Sequence, residues 1–142
     1  MDLRRLTVGD LMSTAVITVK ERETITQADL EMRLAGIRHL PVVDDKNHVV
    51  GILSNRDLFR AMGKGDRKAA PVWETMTSNL HTVGEDTPAY RAAATMIERK
   101  IGALPVVGDQ GQLVGLVTET DFLRVAYEAL SGSRGEALGV GA

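Results

Sequence analysis

The chain has 142 residues, with 17 Lys and Arg against 19 Asp and Glu and a net charge of −2; its basic residues are scattered, which leaves no basic face for DNA or RNA. It contains no cysteine, which excludes a disulfide framework, thiolate catalysis and thiolate metal sites. No apolar run approaches the ~20 residues of a membrane span and the charged stretch Met1 to Gly9 lacks the apolar centre of a signal peptide, so a soluble, cytoplasmic protein with no membrane contact is expected.

Val8-Gly9-Asp10-Leu11-Met12-Ser13 reads as a short helical turn, and Val16-Ile17-Thr18-Val19, rich in β-branched residues, as a first strand. A helix follows, with Ile25, Ala28, Met32 and Ala35 at spacings of three, four and three, Thr24-x-x-Gln27 as a capping box and Gly36 as its stop. Then comes Ile37-Arg38-His39-Leu40-Pro41-Val42-Val43, the polar turn Asp44-Asp45-Lys46-Asn47, and Val49-Val50-Gly51-Ile52-Leu53-Ser54-Asn55-Arg56-Asp57-Leu58. Aliphatic runs bounded by turn residues predict two strands of a hairpin. Ser54-x-x-Asp57 predicts a helix start, because the hydroxyl caps a free amide and the acid sits in the positive first turn.

Gly63 to Lys68 reads as a solvated linker; it lacks the G-x-x-x-x-G-K-[ST] spacing of a phosphate-binding loop, and no apolar strand precedes it. The whole order then repeats. Val72-Trp73-Glu74-Thr75-Met76-Thr77 matches the first helical turn, and Leu80-His81-Thr82-Val83 the first strand. Thr87 caps and Pro88 opens a helix with the stripe Ala89, Ala92, Ala93, Met96 and Ile97. Ile101-Gly102-Ala103-Leu104-Pro105-Val106-Val107 and Leu113-Val114-Gly115-Leu116-Val117-Thr118-Glu119-Thr120-Asp121-Phe122 repeat the hairpin and helix start. Pro41 recurs as Pro105, Gly51 as Gly115 and Asp57 as Asp121, each 64 positions on, so the copies align without a gap. A last helix is expected from about Thr120 to Leu130, with Phe122, Leu123, Ala126, Tyr127 and Leu130 on one side. A Gly-rich, flexible tail follows over 131–142.

Strand, helix, strand, strand, helix, written twice with I-x-x-L-P-V-V and V-G-h-h-[ST]-x-x-D-h (h aliphatic), resembles the cystathionine β-synthase (CBS) domain family, and more specifically a tandem CBS pair, or Bateman module. The resemblance implies an α/β fold of the α+β type: two pseudo-symmetric β-α-β-β-α repeats, 8–62 and 72–130 about a 63–71 linker, packed sheet to sheet with two clefts. It implies a non-catalytic regulatory module that binds an adenosine-containing ligand (AMP, ADP, ATP or S-adenosylmethionine), requires no other cofactor, forms a homodimer and controls a separate effector protein. Leu30, Leu34, Ala94 and Tyr127, lying outside the main stripes, agree with a further buried contact. The alternative is a structural, dimerising module without nucleotide.

On the residues alone, Ser54 with Asp57 is a helix cap as readily as a site; the resemblance adds phosphate or ribose binding by Ser54 and Thr118 and ribose diol binding by Asp57 and Asp121. Arg38 and His39 stand before Pro41, where the family often places a basic residue that reaches phosphate, and Arg suits phosphate because its planar fork donates twice. A solvated arginine and an ordinary histidine are the plain reading. The second copy has Gly102 and Ala103 there, so its phosphate donors are missing, with Arg56 or a linker lysine the candidates to compensate. Adenine is expected against the backbone of Val16, Ile17 and Thr18 or Leu80, His81 and Thr82, with Ile52 or Leu116 beneath the ring, though core packing or, for His81, simple exposure explains these residues equally well. Pro41, Pro105 and Thr120 complete the set. An acid–base pair of His39 or His81 with Asp57 or Asp121 is the remaining route to catalysis. Nothing in the spacing requires it, because the histidines do not recur between copies while the Ser/Thr and Asp do.

Overall fold

In the computed structural model, which describes residues 2–63, 65 and 69–132, each half builds an antiparallel hairpin from the expected runs. β2 (His39–Val43) pairs with β3 (Val49–Ser54), and β4 (Ala103–Val107) with β5 (Leu113–Thr118), in registers that match position for position: Pro41 opposite Ile52 and Pro105 opposite Leu116, Val42 opposite Gly51 and Val106 opposite Gly115. Both hairpin turns need one residue at positive φ, supplied by Asn47 at 65° and by Gly111 at 83°. The expected linker lies partly, and the expected tail from residue 133 on wholly, outside the described residues.

The first strands are shorter than expected. β1 is only Val19–Lys20, parallel to β2, and in the second half Val83 makes a single parallel bridge to Val106. The prolines explain this. The residue before Val19 would lie opposite Pro41, which has no N–H to give a ladder, so pairing starts only at Val42; Pro105 has the same effect. Val16 to Thr18 and Leu80 to Thr82 therefore run outside the sheets.

The helices are α1 (Val8–Leu11), α2 (Ile25–Ala35), α3 (Asn55–Met62), α4 (Ala89–Arg99) and α5 (Glu119–Ser131). Val72–Glu74 forms a 3₁₀ turn where α1 has its counterpart. Thr24 caps α2 by accepting from the Gln27 N–H, and Gly36 ends it at φ 66°. Thr87 does not cap α4: its hydroxyl accepts from the Gly84 N–H, and Pro88 takes the cap position instead. The stripes are narrower than expected, because Ala35 and Ile97 are exposed while Ile25, Ala28, Met32, Ala89, Ala92 and Met96 are buried. On α5 Phe122 packs inward, but Leu123, Tyr127 and Leu130 stay exposed because no element among the described residues covers that side.

The two halves exchange their leading segments. Val72 and Met76 pack with Ile25, Leu40 and Leu53 of the first half, whereas Val8 and Met12 pack with Ala92, Leu104 and Val117 of the second. Backbone bonds fix the exchange: Thr77 and Ile52 trade two (2.9 and 3.0 Å), as do Ser13 and Leu116 (2.9 and 3.0 Å). This accounts for the glycine of each V-G motif. A Cβ on Gly51 would fall on the Met76 side chain and 3.1 Å from the Thr77 carbonyl oxygen, and one on Gly115 would meet Met12 and lie 2.9 Å from the Ser13 carbonyl oxygen. At the far ends of the hairpins the Asn47 carbonyl accepts from the Leu113 N–H at 3.0 Å, and the Asn47 side chain donates to the Leu113 carbonyl at 3.2 Å.

Candidate functional site

At the β3–α3 corner Ser54 and Asp57 form a reciprocal cap: the Ser54 N–H donates to Asp57 Oδ2 at 2.9 Å, and the Asp57 N–H donates to Ser54 Oγ at 3.1 Å. The β5–α5 corner repeats it, with the Thr118 N–H donating to Asp121 Oδ2 at 2.8 Å and the Thr118 hydroxyl to the same oxygen at 3.4 Å. Each acid thus accepts from the N–H of its capping residue, and each corner presents the positive dipole end of a helix.

Both corners open onto one cleft of about 710 Å³ lined almost equally by the two halves. The two clefts implied by the resemblance form one cleft here, and at Gly102, which has no side chain, the His39 ring of the other half comes within 3.0 Å of where a Cβ would stand. Of the residues singled out from sequence, Val16, Ile17, Arg38, His39, Ile52, Ser54, Arg56, Asp57, Leu80, His81, Pro105, Leu116, Thr118, Thr120 and Asp121 line the cleft. Three do not. Pro41 is fully buried within its sheet, and Thr18 and Thr82 immediately precede the residues that enter the sheets, where the chain has left the cleft wall.

Electrostatics separates the halves. Arg38, Arg56 and Arg60 are exposed on the first half's wall, and Asp57 is half-buried. In the second half Asp121 is 7% exposed, and Arg124 Nη1 lies 3.4 Å from its Oδ1. Burial pushes the Asp121 carboxyl above the ordinary carboxylate range, outweighing the Thr118 N–H, the Arg124 charge and the Thr118 hydroxyl. Burial also holds His39 below the ordinary imidazole value, helped by the Arg38 charge and opposed by Glu119 and Asp57. Lowering from 6.5 favours the neutral, hydrogen-bonding form of His39 at pH 7.

The sequence reading missed Arg60 and Arg124, Asn55 and Glu119, Asn79 and Lys100, all on the cleft wall. Arg60 and Arg124 were findable, since they share the 64-residue register and each follows its aspartate by three, one helical turn on. Lys100 had no such signal: it occupies the position of Gly36 and holds its left-handed conformation at φ 56°. Among the described residues no group of three or more His, Cys, Asp or Glu is placed to hold a metal ion.

The sequence model described as "CBS domain" matches residues 8–64 and 72–128. An uncharacterized protein of Methanopyrus kandleri is 32% identical over 125 residues, 87% of this chain and 64% of that protein. The L-aspartate semialdehyde sulfurtransferase of Methanocaldococcus jannaschii is 33% identical over 83% of this chain but only 23% of its own length, so the chain spans a part of each of these relatives. Among solved structures, the CBS domain pair of protein MJ0100 in complex with 5′-methylthioadenosine and S-adenosyl-L-methionine superposes with a TM-score of 0.81 at 32% identity, covering 87% of this chain and 97% of that one. CBSX2 in complex with AMP gives 0.79 at 28%, covering 88% and 98%.

Proposed function

This chain belongs to the CBS domain family, and from that premise we propose that it is a regulatory module, not a catalyst, that takes an adenosine-containing ligand into its central cleft and thereby controls a partner protein in the cytoplasm. The observation that carries the reading is the duplicated corner: a hydroxyl, the positive end of a helix and an aspartate, twice, opening onto one cleft of about 710 Å³. That volume falls within the range of small-molecule sites, ~300–1,000 Å³. Asp57 spends Oδ2 on its own cap and keeps Oδ1 for a ribose diol; Ser54, Arg38, Arg56 and Arg60 stand where phosphate oxygens would be met. Val16, Ile17, Leu80, Ile52 and Leu116 supply the apolar wall for adenine. The complexes of MJ0100 and CBSX2 support the ligand class.

A second reading rests on a separate observation. Leu34, Phe59, Ile97, Leu123 and Leu130 are each at least 70% exposed on helices. Such side chains fit a two-fold homodimer, and the module would then serve association with or without a ligand. Thermal melts with AMP, ADP, ATP, S-adenosylmethionine and GTP decide between the two. A ligand at 100 times its dissociation constant adds about 2.7 kcal/mol, a shift of about 3–6 °C for a chain of this size. We expect the adenosine compounds to raise the melt and GTP to do so less; no shift with any of them would leave only the dimerising role.

A further inference from the structure

The two corners differ most at a residue the motif leaves open. After the capping hydroxyl the first half has Asn55 and the second Glu119, in the same relation to the residue before the hairpin's first strand: the Asn55 N–H donates to the Arg38 carbonyl at 2.9 Å and the Glu119 N–H to the Gly102 carbonyl at 3.1 Å. In the first half this junction holds an arginine and a neutral amide. In the second it holds a glycine and a carboxylate, and the space a side chain at Gly102 would need is taken by the Glu119 carboxylate and the His39 ring. A side chain in place of Gly102 would have to displace both of them.

The surroundings do not cancel that charge. Arg124 is engaged with Asp121, and Lys100, on the same wall, makes no ion pair with Glu119 among the described residues. The first half therefore presents three guanidiniums against one carboxylate, and the second two cations against two carboxylates, of which Glu119 has only the His39 ring beside it. Adenosine ligands share a base and ribose and differ at the 5′ substituent, so the charge met by that substituent decides which of them a corner accepts.

We infer that Glu119 is the specificity-determining residue of the second corner, excluding a 5′ phosphate and selecting an adenosine whose 5′ substituent is cationic, such as a sulfonium, while the first corner takes the phosphorylated form. One chain then reads two ligands of opposite charge. This rests on the proposed adenosine-binding cleft and deepens it.

Calorimetry on the full chain tests it with AMP, neutral 5′-methylthioadenosine and S-adenosylmethionine. AMP should fill one site per chain, and S-adenosylmethionine should still bind when AMP is saturating. Glu119→Gln should strengthen AMP at the second site by about ten-fold, weaken S-adenosylmethionine there by a similar factor and leave 5′-methylthioadenosine unchanged. Asn55→Glu should weaken AMP at the first site. Glu119 is exposed at a helix start, so the Gln variant keeps the fold. Two equivalent AMP sites in the unmodified chain, or a Glu119→Gln protein with the same AMP to S-adenosylmethionine preference, would overturn the inference. If the unmodified chain binds none of the three compounds, the adenosine reading of the cleft itself fails.

Discussion

The two halves share the hairpins and corners on which their fold rests and diverge where a ligand would touch. Pro41 and Pro105, Gly51 and Gly115, and the Ser54–Asp57 and Thr118–Asp121 caps hold the same registers and bonds. Yet Arg38 faces Gly102, Asn55 faces Glu119, and a half-buried Asp57 faces a buried Asp121 bridged by Arg124. The shared residues work through backbone geometry and close approach, which tolerate no substitute. The divergent ones act through charge on the cleft wall, which can change without disturbing a strand.

The strongest way to break the first part of this comparison is to unbalance the cores. Leu40 and Leu104 are both fully buried at equivalent positions, and truncating either to Ala should cost about 2–5 kcal/mol. Because Val72 completes the first core and Val8 the second, neither half can hold its core once the other has opened. Both variants should therefore melt in one transition at a lower temperature. A biphasic melt in denaturant, with one half surviving, would show that the exchange of leading segments does not couple the halves.

Much of this was legible in the sequence because duplication supplied its own control. A hairpin of aliphatic runs with matching Pro, Gly and Asp in one register has few other readings, and the caps followed from hydroxyl-to-acid spacing. The short β1 was not foreseen, since the effect of Pro41 depends on which strand lies beside it. The exchange left a trace in Met12 and Met76, 64 apart, but that Met76 covers Gly51 is a contact made in space, with no local pattern to announce it. In the cleft, the fixed positions of the motif were found, whereas Asn55 and Glu119 at its open position, and Asn79 and Lys100 outside it, were not. The apolar stripes were overdrawn at Ala35 and Ile97, because periodicity shows a face without showing whether anything covers it.

A smaller effect sharpens the second part of the comparison. Arg38→Ala should reduce AMP affinity by about ten-fold or more, since a charge-assisted bond to phosphate contributes about 1.5–3 kcal/mol, and should leave adenosine nearly unchanged. The aspartates should differ as well. Asp57 has an oxygen to spare for a ribose, whereas both oxygens of Asp121 are engaged, Oδ2 by Thr118 and Oδ1 by Arg124. Asp57→Ala should therefore cost more AMP affinity than Asp121→Ala. Calorimetry giving equal losses, or normal AMP binding by Arg38→Ala, would mean that the charge difference between the walls has no consequence for the ligand.

The smallest expected effect is on how stability depends on pH, and here the halves pull in opposite directions. Burial raises the folded-state value of Asp121 above its ordinary 3.8, so the folded chain binds more protons than the unfolded one between those two values. Its contribution is fully present below 3.8 and is lost as pH rises through the folded value. His39 is lowered from its ordinary 6.5, so below 6.5 the unfolded chain binds the extra proton; its contribution is present above 6.5 and is lost as pH falls through the folded value. Each is read as a difference between unmodified and variant chains, which removes the background of other carboxylates. The advantage of the unmodified chain over His39→Gln should shrink as pH falls from about 8 to about 5. Its standing against Asp121→Asn should instead improve as pH falls through the range just above 3.8. If the His39→Gln difference is flat with pH, the ring is as well solvated folded as unfolded, and it does not fill the space beside Gly102 and Glu119 on which the contrast of the two corners depends.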